Sequence, residues 1–379
     1  MRILHITSQA PGMRSGGELG VYQTIKSLCL NGYDVDYVGP EIKDKNISVL
    51  YKNLYFLDPD KNILRRCYFM LHGITNSRYY AWRKLKIDCG KYDVVVLDFT
   101  KLDYVLKDDR IGKLIVKVHN VEYDYAHNDF LKNGGFTRKI VALLSKRQEK
   151  AILNRADAVL ALTLKDKKRI KELYGNQLGD KITINPVAVA NKMNKITSPK
   201  DCMSLLITGS LWYGDNVEGT IWFIENVFSE LKFATRLVIA GANPSEKIKK
   251  VISKYSNIEL YDSPDNMNEF FEECNVVIAP VFDGAGMKVK VAEALSYSKI
   301  VVGTRHAFIG YDVISCNNVY IADTKEEFIS ALDSIYLYDD DQWIKQQEKI
   351  KKLFISQYSF ESSAKVWNAV IESVCINSK

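Results

Sequence analysis

Short apolar runs of strand length, separated by segments of helical periodicity, occur in two successive series along this chain. That alternation restricts it to an α/β architecture built on parallel sheets. The first series opens with a strand at Arg2–Thr7 and a loop holding Pro11, Gly12, Ser15, Gly16 and Gly17. A helical pattern follows from Leu19 to Leu30, with Val21, Ile25, Leu28 and Cys29 near one face. Gly32 ends it, and Tyr33–Val38 resumes as a strand, completing a βαβ unit. Asp93–Leu97 and Leu114–Val118 read as buried parallel strands, Arg138–Ala156 as a helix and Ala158–Leu162 as a further strand. The second series places strands at Ser204–Thr208, Arg236–Ala240, Ile258–Tyr261, Val276–Pro280 and Ile300–Gly303.

At 379 residues the chain exceeds what one hydrophobic core usually serves, and 47% hydrophobic against 26% charged residues supplies apolar surface for two. The predicted fold is therefore two Rossmann-like, doubly wound parallel-sheet domains. The first covers 1–190, a polar, aperiodic stretch at 191–203 links them, and the second covers 204–359. The tail from Phe360 to Val374 reads as an amphipathic helix, either in the second domain's core or returning to brace the first. Ligands of such domains bind in a crevice at the C-terminal ends of the strands. The seven cysteines (29, 67, 89, 202, 274, 316 and 375) have no metal-ligand spacing and read as small, reduced hydrophobes rather than disulfides. Met1–Ile6 reads as a strand rather than a signal peptide, and no apolar stretch approaches a bilayer span, so a cytoplasmic protein is expected.

The segment with most chemistry is Asp283-Gly-Ala-Gly-Met-Lys-Val-Lys-Val-Ala-Glu293, a glycine-rich turn opening a helix after a strand. Free N–H groups and the dipole at a helix start suit a phosphate. Helical stepping puts Gly286, Lys290 and Glu293 on one face, with lysine charge for phosphate and a carboxylate about 10 Å further on for ribose hydroxyls. A plain α/β turn with a solvated Lys–Glu pair is the alternative.

Val276–Thr304, VVIAPVFDGAGMKVKVAEALSYSKIVVGT, resembles the donor-binding segment of glycosyltransferase family 4 and its GT-B relatives. ITGSLWYGDNVEGTIWFIENVF, residues 207–228, resembles the opening strand and helix of the same domain, with Gly209, Ser210 and an Asn, Asn216, ahead of the helix. The resemblance implies that Glu293 holds the donor ribose, that Gly286 and Met287 meet the diphosphate through their amides, and that Lys290 and Lys288 supply charge. Two departures stand out: Ala285 occupies the first of the family's two Glu positions, and the usual Arg and Lys after Gly209 are absent. Gly16 and Gly17 match the family's glycine pair near donor phosphate or acceptor, and His119, in Val118-His-Asn-Val-Glu122, matches a His near the transferred sugar. Asn120 and Glu122 are weaker candidates, and His5, His72, His127 and His306 have no comparable context.

The resemblance implies a transfer of sugar from a nucleotide diphosphate-sugar to a glycan or lipid-linked acceptor, with retention and without a metal or other cofactor, in bacterial surface polysaccharide assembly. An epimerase of the same fold or a noncatalytic sugar-nucleotide-binding subunit are the alternatives; a nicotinamide oxidoreductase would need Gly-x-Gly-x-x-Gly after the first strand, which Ser8–Gly20 lacks. Between Lys61 and Lys91, Arg65, Arg66, Arg78, Arg83, Lys84 and Lys86 interleave with Tyr68, Phe69, Tyr79, Tyr80 and Trp82. This is either an interfacial patch for anionic lipid at the inner face of a membrane or a solvated face whose aromatics pack inward. With a net charge of only +6, no nucleic-acid partner is expected.

Overall fold

The computed structural model describes every residue except 14, 75, 103–110, 193–197, 199–201, 285, 313–318 and 377–379. The chain forms two compact units, residues 1–187 with 360–379, and residues 188–359. Ala285 and Cys316 lie outside the described residues.

In the first unit, strands β1 (Arg2–Thr7), β2 (Asp34–Gly39), β3 (Leu54–Phe56), β4 (Val94–Asp98), β5 (Lys113–Val118), β6 (Ala158–Ala161) and β7 (Ile182–Ile184) form one sheet. Their order is β3-β2-β1-β4-β5-β6-β7, all neighbours parallel. Parallel strands need crossovers, supplied here by α1 (Gly16–Leu30), α2 (Lys45–Ser48), α3 (Ile63–Leu71), α4 (Tyr79–Leu85), α5 (Glu122–Asn133), α6 (Phe136–Arg155) and α7 (Leu164–Tyr174). Along β4 the alternation is strict: Val94 and Val96 enter one core, and Val95 and Leu97 the other. Chain order reverses between β1 and β4, the switch point of this sheet.

The second unit repeats the plan with β8 (Met203–Ser210), β9 (Thr235–Ala242), β10 (Ile258–Asp262), β11 (Val276–Ala279), β12 (Ile300–Gly303) and β13 (Tyr320–Ile321). The order is β10-β9-β8-β11-β12-β13, again parallel, with its switch point between β8 and β11. Its helices are α8 (Gly214–Asn226), α9 (Glu246–Ile252), α10 (Asn268–Glu273), α11 (Val289–Ser296), α12 (Lys325–Tyr336) and α13 (Asp340–Gln357).

The last helix, α14 (Phe360–Ile376), belongs to the first unit and packs on α1. Trp367 is fully buried with Ile371 among Ile3, Ile25 and Val96, and polar contacts fix the helix in register. Ser27 donates to Ser363 at 2.9 Å, Asn31 Nδ2 to the Ala364 carbonyl at 2.8 Å, and Tyr33 to Asn368 at 2.7 Å.

Several expected boundaries move. Helix α1 begins at Gly16 rather than Leu19, because the Ser15 side chain accepts from the Glu18 amide at 3.3 Å and caps it. The first unit ends at Val187, not 190, since Val189 pairs with Ser359 and the Lys192 amide donates to the Ser296 carbonyl within the second. Cys89 and Cys274 are buried, but Cys67 and Cys202 are exposed, contrary to the core role expected of the cysteines.

Replacing Trp367 with Ala should lower the unfolding free energy by about 3–5 kcal/mol, the usual cost of emptying a buried aromatic site. Urea-induced unfolding followed by circular dichroism measures it; a loss below about 1 kcal/mol would show that α14 is not integral to that core.

Candidate functional site

In the second unit the chemistry gathers at the β8/β11 switch point. Strand β8 ends at Gly209 and Ser210, and the Gly209 φ of 137° is one that no L side chain adopts comfortably. A Cβ there would lie 3.2 Å from the Lys290 amine and 3.3 Å from Asn216 Nδ2. Those two side chains close over the strand end: Lys290 Nζ donates to Asn216 Oδ1 at 3.0 Å, and Asn216 Nδ2 donates to the Ser210 carbonyl at 3.1 Å. Asn216 therefore lies in the first turn of α8, not ahead of the helix as expected, because α8 already starts at Gly214. Helix α8 can approach β11 this closely because position 219 is glycine; a Cβ there would meet the Pro280 carbonyl oxygen at 1.9 Å.

The glycine-rich turn follows β11. Gly286 lies outside α11, with φ of 71°, so the helical face drawn through Gly286, Lys290 and Glu293 holds only for the last two. Met287 is buried, and Lys288 occupies the cap position of α11 without a side-chain capping bond, so the turn's amides carry the helix start. Two residues from outside the motif hold this turn. His306 Nε2 donates to the Gly284 carbonyl at 2.7 Å; Tyr311 accepts from the Ala292 amide at 3.1 Å and donates to the Lys288 carbonyl at 2.8 Å. Asp215 and Lys288 approach Gly284, where a Cβ would lie 3.0 Å from the carboxylate and 3.1 Å from the amine.

Burial pushes the Lys290 amine down to about 8, with neighbouring Lys288 adding to the effect and Glu293 opposing it. Glu293, half-buried one turn further along α11, is pushed up by burial and eased back by Lys192 and Lys290. Its carboxylate accepts no hydrogen bond among the described residues. The result is a cationic turn with backbone donors at one end and, at the other, a carboxylate with no hydrogen bond among the described residues. Such a set can take a diphosphate and a pair of vicinal hydroxyls.

The first unit carries a second polar cluster at its own switch point. Asp98, at the end of β4, accepts from His119 Nε2 at 2.7 Å and from His5 Nε2 at 2.6 Å, all three side chains being buried. Burial alone would raise the Asp98 carboxyl, but the two imidazole hydrogen bonds outweigh it and hold the group well below the usual carboxylate range. His119 is lowered by burial against the opposing pull of Asp98, so at neutral pH it is an uncharged imidazole with Nε2–H donating and Nδ1 left as acceptor. Phe99 stacks on the ring with centroids 4.0 Å apart, from a backbone held at φ 75°. Gly20 of α1 lies against the ring's other contact edge, where a Cβ would come within 2.4 Å of Nδ1. His119 is thus buried and held, rather than projecting freely from the end of β5. Lys117 donates to the Gly20 carbonyl at 2.9 Å and to Thr24 at 3.2 Å, and burial brings its amine down to about 8.

Gly16 and Gly17 lie in the first turn of α1 rather than before it, and the Gln9 amide covers Gly17, where a Cβ would meet Oε1 at 2.1 Å. Glu122 pairs with Lys101 at 2.8 Å, while Glu149 of α6 accepts from the Glu122 and Tyr123 amides at the start of α5. His5 and His306, which have no motif around them in the sequence, are both engaged. His5 lies opposite Val96 in the β1–β4 register, and Asp98, two residues further along β4 on the same face, reaches its ring. Among the described residues no group of three or more His, Cys, Asp or Glu could hold a metal ion.

Removing the shared acceptor with Asp98→Ala leaves two buried imidazole donors unsatisfied, and should cost about 2–5 kcal/mol of stability, from roughly 1–3 for each. Denaturant unfolding of the variant checks this; a change under about 1 kcal/mol would mean the histidines find other partners.

Residues 203–337 match the family described as Glycosyl transferases group 1. Over 328 residues the chain is 26% identical to an uncharacterised 44.6 kDa protein in the cps region of Klebsiella pneumoniae, covering 80% of this chain and 82% of that one. A glycosyltransferase structure from Rickettsia africae aligns with a TM-score of 0.71 at 15% identity, over 100% of this chain and 99% of the other. The structure of Anabaena HepE in complex with UDP-glucose aligns with a TM-score of 0.66 at 11% identity, over 98% and 100%. These likenesses establish the fold, two Rossmann-like units of the GT-B class.

Proposed function

We propose that this chain, a GT-B protein whose residues 203–337 belong to the group 1 glycosyl transferases, moves a sugar from a nucleotide diphosphate-sugar to an acceptor hydroxyl. The observation that carries the reading is the set at the β8/β11 switch point: glycine-turn amides, the Lys290–Asn216 lock over Gly209, and the Glu293 carboxylate, which accepts no hydrogen bond among the described residues.

In this reading the amides of Gly286 and Met287 take the diphosphate oxygens, Lys288 and Lys290 supply positive charge, and Glu293 accepts from the ribose hydroxyls. Gly209 and Ser210 give the backbone approach to the diphosphate, and Asn216 aims the Lys290 amine. The bond from the anomeric carbon to the departing diphosphate oxygen breaks as the acceptor oxygen bonds to that carbon. Negative charge grows on the diphosphate as that bond breaks, and the departing diphosphate oxygen takes the acceptor hydroxyl's proton. A preorganised helix start and lysines stabilise that charge more than they stabilise the bound donor, which lowers the barrier. His119, uncharged and fixed by Asp98, presents an acceptor nitrogen suited to a sugar hydroxyl. No metal is assigned a role. Uridine is the first base to test, because HepE is seen with UDP-glucose. The relative from a cps region supports a place in surface polysaccharide assembly.

A thermal-shift screen against UDP-, GDP-, dTDP- and ADP-sugars tests the donor site. A ligand at about 100 times its Kd should stabilise the fold by roughly 2.7 kcal/mol. One nucleotide should shift the wild type and leave Glu293→Ala unmoved; no shift with any of them would overturn the reading.

Lys290 also sets a pH dependence. Its amine is cationic below about 8 and loses the proton above it, so donor affinity should fall as pH rises through about 8. Calorimetric titrations at several pH values should show that decline in the wild type and not in Lys290→Met. An equal decline in both would assign the proton to another group.

A further inference from the structure

Helix α3 turns its apolar side to water. No residue of it is buried. Ile63, Leu64, Tyr68 and Leu71 are 71%, 82%, 57% and 83% exposed, and at 100° per residue they share an arc of about 140°. The opposite side holds the helix in place: Phe69 packs against the core and edge-on to Tyr79, with centroids 4.9 Å apart. Arg65 pairs with Asp60 at 3.4 Å and stacks over Tyr80 at 3.9 Å. The orientation is therefore built, with aromatics inward on one side and aliphatics outward on the other. Trp82 and Phe69 pack inward, while Tyr68 faces solvent.

The charge pattern is equally one-sided. From Lys61 to Ile87 there are seven basic residues and no acidic one. Arg66 is exposed at the edge of the apolar arc, and Arg83 is exposed on α4, whose Tyr80 lies under Arg65 of α3. The end of α3 abuts the middle of α6, where Gln148 Nε2 donates to the Gly73 carbonyl at 2.8 Å. Helix α6 carries the same combination, exposed Leu143 flanked at four-residue spacing by exposed Lys139 and Arg147.

We propose that α3 and the adjoining outer side of α6 seat this protein on an anionic lipid bilayer. Ile63, Leu64, Tyr68 and Leu71 enter the headgroup region, and Arg66 and Arg83 meet lipid phosphates. Solvent-facing aliphatics flanked by cations match a surface that is apolar beneath and negative on top. A nucleic acid or another soluble polyanion would satisfy the arginines and leave the aliphatics in water. No described helix is long and apolar enough to cross a membrane, so the attachment is interfacial.

Co-sedimentation of the full chain with vesicles tests this, using phosphatidylcholine alone and with about 30 mol% phosphatidylglycerol. The wild type should pellet with the anionic vesicles only. Leu64→Ser/Leu71→Ser and Arg66→Glu/Arg83→Glu should each lower partitioning about tenfold or more, with thermal unfolding unchanged as the control for folding. A wild type that stays in the supernatant would overturn the proposal. So would loss of binding in the arginine variant alone, which would mark a site for soluble polyanions. Self-association abolished by the serine variant, without any vesicle binding, would identify an interface between copies of the chain instead. The sugar-nucleotide screen reads a separate unit, so either result can fail alone.

Discussion

Every strand pair in both sheets is parallel, and that constraint governs most of the architecture and the placing of its polar groups. A parallel pair cannot be joined by a tight turn, so each strand must send the chain across a face of its sheet and back. Helices then cover both faces, and the strands become apolar throughout, as Val94–Leu97 and Val276–Ala279 are. The same geometry gathers loops at the C-terminal strand ends. Where chain order reverses, between β1 and β4 and between β8 and β11, neighbouring crossovers depart to opposite faces and leave the strand ends uncovered by their own connections. Both polar clusters of this protein sit at those points.

The two clusters handle buried charge differently. In the first unit the cost of burying Asp98 is offset inside the protein, by two imidazoles and Thr24. Both Asp98 oxygens are engaged, which gives a rigid assembly with a set tautomer for His119. In the second unit the compensation is incomplete: Lys290 has Asn216 as its partner, and Glu293 accepts no hydrogen bond among the described residues. Burial disfavours the charged form of each, and a ligand bringing negative charge to one end and hydroxyls to the other would relieve both.

Much of this was legible from local pattern. The longer strands fall within a residue or two of where apolar runs place them, the short strands β3, β7 and β13 carry too few apolar residues to show, and the glycine-rich turn stands where a strand meets a helix. Local pattern failed where partners are distant in sequence. Asn216 looked like a residue ahead of a helix, and its bond to Lys290, 74 positions away, depends on α8 and α11 lying side by side. His306 and Tyr311 carry no motif of their own, yet they hold the turn and the first turn of α11. Asp98 closes an ordinary apolar run, and only the β1–β4 and β4–β5 pairings bring it between two histidines. Amphipathicity also misleads about direction: the stripe on α3 is easily found in the sequence, but nothing in its periodicity says that it faces water.

By itself, the sequence determined the class of fold, most of the two series of strands and helices, and the glycine-rich turn that opens α11. These depend on periodicity and on turn chemistry, which act over a few residues and are written in order along the chain. The tertiary structure alone decided that α14 completes the first unit, that His119 is buried and bound rather than free, and that Lys290 is aimed by Asn216. Each of these rests on contacts between elements far apart in sequence. Their energies come from packing and from hydrogen bonds among groups withdrawn from water, and such contacts exist only once the sheets have formed.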